Sequence, residues 1–108
     1  MSVVALINHP QTEEERRFNI PVMTEAVCRI VGPVAERLGL DLCDNWGTFN
    51  EVGPGQAPEF FRQLDCLAVA VADQEPGLRD YIEHRFSNLK ERMAEAVERR
   101  ADVEFYVG

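Results

Sequence analysis

Between Pro76 and Arg100 the apolar residues Leu78, Ile82, Phe86, Leu89, Met93 and Val97 recur at spacings of four or three. That period places them on one stripe and predicts a long α-helix, with Pro76 in its first turn and Asp73 or Glu75 as its cap. A second stripe, Met23, Val27, Ile30, Val34 and Leu38, predicts another helix. It is expected to begin at Pro21, to bend at Gly32-Pro33 and to stop at a left-handed Gly39. Ahead of it, Thr12 and Glu15 have capping-box spacing, so residues 12–19 read as a short preliminary turn.

Two continuous apolar runs, Ser2–Asn8 (SVVALIN) and Cys66–Ala72 (CLAVAVA), read as strands buried on both faces at the centre of a sheet. Residues 40–50 (LDLCDNWGTFN) alternate weakly and read as an edge strand bent near Gly47. Residues 51–58 form a loop punctuated by Gly53-Pro54-Gly55, and Pro58–Leu64 allows two turns of helix. In Asp102–Val107 the residues Val103, Phe105 and Val107 alternate with Glu104 and Tyr106, as in a half-buried terminal strand.

Strand, helix, strand, then strand, helix, strand is the order of a two-layer α+β sandwich of the ferredoxin-like βαββαβ type. The alternative is an α/β flavodoxin-like parallel sheet, in which residues 60–64 belong to a crossover. Residues 1–108 are of a size for a single domain. The Pro76–Arg100 helix, about 36 Å long at 1.5 Å per residue, exceeds what a small sheet needs. Together with open sheet edges this predicts a homodimer.

Charge changes the picture. The chain carries −8, and Glu36–Glu75 holds eight acids against Arg37 and Arg62, or −6 of that total. Such a field repels phosphate backbones and excludes direct nucleic-acid binding, while it suits a basic protein surface. No apolar run approaches the roughly 20 residues of a membrane span, and MSVVALINHP lacks the basic region of a signal peptide. Three widely spaced cysteines, Cys28, Cys43 and Cys66, argue against a disulfide scaffold and for a reducing, cytoplasmic setting.

Candidate chemistry is sparse. His9 follows a buried strand, and in a parallel sheet it would share a strand-end pocket with Asp73, as acid–base and orienting acid. His84 beside Glu83 reads as solvated. No close chelating pair is present, so no metal and no cofactor are expected. Cys28 and Cys66 read as core filler, and Asp44 beside Cys43 opposes thiolate formation. Gly53-Pro54-Gly55 matches no phosphate-loop pattern, and Glu51 nearby would repel an anion. Trp46 and Phe49 sit in the acidic middle and read either as partner anchors or as an aromatic lid on the core.

The runs RFNIPVMTEAV and LDCLAVAVADQEPG resemble parts of small nucleoside-deoxyribosyltransferase-like proteins, which implies a parallel α/β sheet. Their glycine-rich first loop is replaced here by His9-Pro10-Gln11, and the resemblance assigns no residue a role. The expectation is a small acidic interaction or regulatory protein without catalysis. Asp44, Trp46, Phe49, Glu51 and Glu59 would engage a basic partner, in the manner of an inhibitor. The alternative is a small-molecule-binding domain or enzyme built on His9 and Asp73.

Overall fold

The computed structural model describes residues 2–46 and 50–108. In chain order these form β1 (Val3–Asn8), α1 (Glu13–Arg16), β2 (Asn19–Met23), α2 (Glu25–Arg37) and β3 (Asn50–Val52), then α3 (Ala57–Gln74), a 3-10 turn (Pro76–Leu78), α4 (Arg79–Arg99) and β4 (Glu104–Val107). The result is a mixed α+β fold, a four-stranded sheet with four α-helices, compatible with a two-layer sandwich.

The strand order is β2-β1-β4-β3, and every neighbouring pair is antiparallel. This overturns the flavodoxin-like alternative and the parallel sheet implied by the deoxyribosyltransferase resemblance. It does not confirm the ferredoxin-like order either. The decisive difference is the CLAVAVA run, which is helix and not strand. Ala57, Phe60, Leu64, Leu67 and Val71 lie three or four apart and are all buried, whereas Val69 is left 64% exposed. A short apolar run satisfies both periods, and packing of the residues upstream of it selects the helical one.

The second central strand is instead β4, expected at an edge. It lies between β1 and β3, with Phe105 and Val107 buried. β1 alternates and is not buried on both faces. Val3, Ala5 and Ile7 point into the core, while Leu6 on the opposite face is 36% exposed. Such one-sided burial is what an antiparallel sheet tolerates and a parallel one does not.

Pro21 does not start a helix. It sits in edge strand β2 opposite Val4, where a residue without an N–H is tolerated. Helix α2 begins after Thr24, whose Oγ1 accepts from the Val27 N–H at 3.3 Å. It runs through Pro33 and ends at Gly39 with φ +69°, the left-handed stop expected. At α1 the Glu15 N–H donates to Thr12 Oγ1 at 3.1 Å, and Glu15 Oε1 accepts from the Gln11 N–H at 2.9 Å.

Helices α3 and α4 pack against each other, and their inward stripes join the inner face of the sheet and the buried side of α2 in one core. The buried positions of α4, Ile82, Phe86, Leu89, Met93 and Ala96, extend along nearly its whole length.

Candidate functional site

Residues 40–46, expected to open an edge strand, form a run of turns between α2 and β3. Leu40 and Cys43 are buried, the Leu40 N–H donates to the Ala35 carbonyl at 3.0 Å, and the Cys43 N–H donates to the Leu40 carbonyl at 2.9 Å. The far end of the segment is anchored by Trp46, 3% exposed, whose ring meets Phe60 of α3 edge-on at 6.4 Å and Phe86 of α4 at 6.0 Å. Buried aromatic pairs of this geometry favour edge-to-face packing over stacking.

The midpoint is held from below by Gln63, the one buried polar residue among those described. Gln63 Oε1 accepts from the Leu42 N–H, and its Nε2 donates to Asp41 Oδ1 and to Glu59 Oε2, each at 2.9 Å. Glu59 in turn accepts from Arg62 Nη2 at 2.6 Å and Nε at 2.8 Å. The Arg62 guanidinium and the Gln63 amide together hold the Glu59 carboxyl down to about 2.

Between this segment and α2 lies a cleft of about 640 Å³, inside the range of roughly 300–1,000 Å³ common for binding pockets. Its buried lining residues are Val3, Cys43 and Trp46. Its charged residues are Glu25, Glu36 and Asp44 against Arg29. Arg29 is engaged by Glu25 at 3.0 Å. No ion pair engages Glu36 or Asp44 among the described residues, and both are exposed. The cleft is therefore apolar inside and acidic at the rim.

Cys28 and Cys43 line the same cleft. Burial pushes the Cys43 thiol up to about 12, helped by Asp44 and Asp41. Burial also raises Cys28, with Glu25 adding to it. Both thiols stay protonated at neutral pH and are poor nucleophiles. Among the described residues no cluster of three or more metal-ligating side chains occurs.

The residues singled out in the sequence are scattered. His9 is exposed at the end of β1 with φ +52°, and Asp73 is exposed in the last turn of α3, which is not a strand end. Neither lines the cleft or the smaller cavity of about 210 Å³ between α1 and the end of α4. The shared pocket expected for them depended on a parallel sheet. Of the partner-binding set, Asp44 and Trp46 meet at the cleft, with Trp46 packed inward as an aromatic lid. Glu51 lies exposed on β3 opposite Tyr106, and Glu59 is committed to Arg62 and Gln63. Phe49 lies outside the described residues.

Sequence reasoning missed Glu36 and Gln63. Gln63 follows Phe60 by three and precedes Leu67 by four, so it stands on the buried stripe once α3 is recognised as a helix. No helix of the described residues is long and apolar enough to cross a membrane. No protein-family model, curated protein or solved structure matches this chain.

Proposed function

We propose that this chain is a non-catalytic interaction protein that captures a basic protein surface, with the cleft between α2 and residues 40–46 as the seat for one lysine or arginine side chain. The reading rests on one observation: among the described residues no ion pair engages Glu36 or Asp44 at the rim of an apolar-floored cleft. Basic side chains are amphipathic. Their methylene stems lie along apolar surface while the charged head seeks an acid, and this cleft offers both in that order. The net charge of −8 adds long-range attraction, which speeds encounter more than it tightens the complex. The raised cysteine thiols of the cleft also fit a site that binds without reacting.

The test uses the single tryptophan of the chain, Trp46, as an intrinsic reporter. A lysine- and arginine-rich peptide should shift Trp46 emission saturably, with an affinity that falls as salt rises. An acidic peptide of equal length should leave it unchanged. Reversal of the free rim charges, Glu36→Lys with Asp44→Lys, should weaken binding about tenfold or more, the equivalent of roughly 1.4 kcal/mol. Binding that ignores both salt and charge reversal would overturn the proposal. Glu51→Lys should act more weakly, through the overall field, because Glu51 lies on β3 and not at the cleft.

A further inference from the structure

Four residues of the cleft wall, Cys43, Asp44, Asn45 and Trp46, come from a segment that is neither helix nor strand. Something other than a backbone ladder must hold that wall in place. We infer that Gln63 is the positioning residue of the cleft, a polar latch that fixes residues 40–46 against α3 and so sets the shape of the wall. The inference builds on the cleft as the binding site, but its main test needs no ligand.

Gln63 is 3% exposed and uses both ends of its amide across the gap between the two elements. The Oε1 accepts from the backbone N–H of Leu42, and the Nε2 donates to the side chain of Asp41. An amide accepts and donates through separate atoms of one planar head without carrying charge. The Nε2 also binds Glu59 one turn earlier on α3, which orients the amide and fixes which atom faces Leu42. Phe60 lies three residues before Gln63 on the same helix and holds Trp46. One face of α3 thus grips the segment at two points, a polar one at residues 41–42 and an aromatic one at residue 46.

Two variants separate this latch from a merely space-filling role. Gln63→Leu keeps the size and removes both polar functions, leaving the Leu42 N–H and Asp41 without their partner. Gln63→Glu keeps the acceptor for Leu42 but places a carboxyl where Nε2 donated, facing Asp41 from the turn segment and Glu59 from α3, with Arg62 beyond Glu59. Three carboxylates then crowd together at neutral pH, the one at position 63 being buried, and protonation restores a donor.

In the 108-residue chain without ligand, Gln63→Leu should red-shift Trp46 emission at all pH values. Gln63→Glu should show the same shift at pH 7 and return toward the wild-type spectrum near pH 5, while the wild type stays flat over that interval. Basic-peptide affinity of each variant should fall about tenfold wherever its spectrum is shifted, in line with a buried hydrogen bond to a charged group. If Gln63→Leu fails to fold, the Gln63→Glu titration alone decides. Wild-type emission in folded Gln63→Leu, or a Gln63→Glu spectrum that does not respond to pH, would overturn the latch. A wild-type protein that ignores the basic peptide, together with pH-reversible emission in Gln63→Glu, would instead retain the latch and overturn the binding reading.

Discussion

Three cysteines in one chain occupy three environments, and burial ranks their reactivity. Cys66 is exposed on α3, Cys28 is half-buried, and Cys43 is buried with its thiol pushed up to about 12. A thiol reagent at neutral pH should therefore modify Cys66 first and leave Cys43 untouched until the protein is unfolded, as timed labelling with mass mapping will show. The same shift has a consequence for stability. Cys43 ionises near 9.0 when unfolded but only near 12 when folded, so its contribution is intact below pH 9 and is lost as pH rises through that window. Chemical denaturation in Cys43→Ser should lack that part of the alkaline decline. At the other end of the scale the Glu59 carboxyl, held down to about 2 by Arg62 and Gln63, stabilises above its unfolded value of 4.5. That contribution is lost as pH falls from about 4.5 to about 2. Glu15 acts with the same sign, lowered by the two-pronged grip of Arg100 Nε and Nη2, both at 2.9 Å, and by the Gln11 N–H. Trp46 stands among the positions with the largest expected effects. Trp46→Ala should cost about 3–5 kcal/mol by chemical denaturation, because it removes a buried ring packed between Phe60 and Phe86.

At the scale of elements, the long C-terminal helix, the Gly39 stop and the alternation of β4 were legible because each depends on local pattern alone. Gly39 holds φ +69°, so Gly39→Ala should cost about 1–2 kcal/mol by thermal or chemical denaturation, and Gly39→Asn should cost less. What was not legible depends on partners distant in sequence. CLAVAVA is apolar at nearly every position, and only the upstream Ala57, Phe60 and Leu64 show that its inward residues continue a helical stripe. NIPVM was obscured by Pro21, which excludes a central strand but not an edge one. The acidic rim was half visible: Asp44 stood out within an acid-rich stretch, whereas Glu36 joins it only because α2 and the turn segment flank one cleft. Gln63 was hidden although residues 58–64 read as two turns of helix, because with the following run taken as a strand that helix was too short to show Gln63 standing on a buried stripe. His9 and Asp73 drew attention through strand ends that the antiparallel sheet does not bring together.

Across the whole molecule, charge and layer order work on different problems. The surplus of acids lies on exposed positions while the inward stripes are almost wholly apolar, so the net charge governs encounter and solubility and leaves the core alone. Salt should accordingly weaken peptide capture strongly and change the midpoint of thermal unfolding little. The position of β4 has a further effect, on the time course of folding. β1 and β2 are neighbours in sequence and can pair early, but β3 has its sheet partner only in β4, and β4 must also return across nearly the whole chain to β1. Until residues 104–107 arrive, the sheet is a two-stranded ribbon, which is marginal in water. Closing it is a long-range event of the kind that slows folding. Nascent or truncated chains that stop before Glu104 would hold the α3–α4 pair without its sheet, exposing the apolar stripes to chaperones and proteases. Phe105→Ala should therefore slow refolding, not merely speed unfolding, if the arrival of β4 is the rate-limiting step.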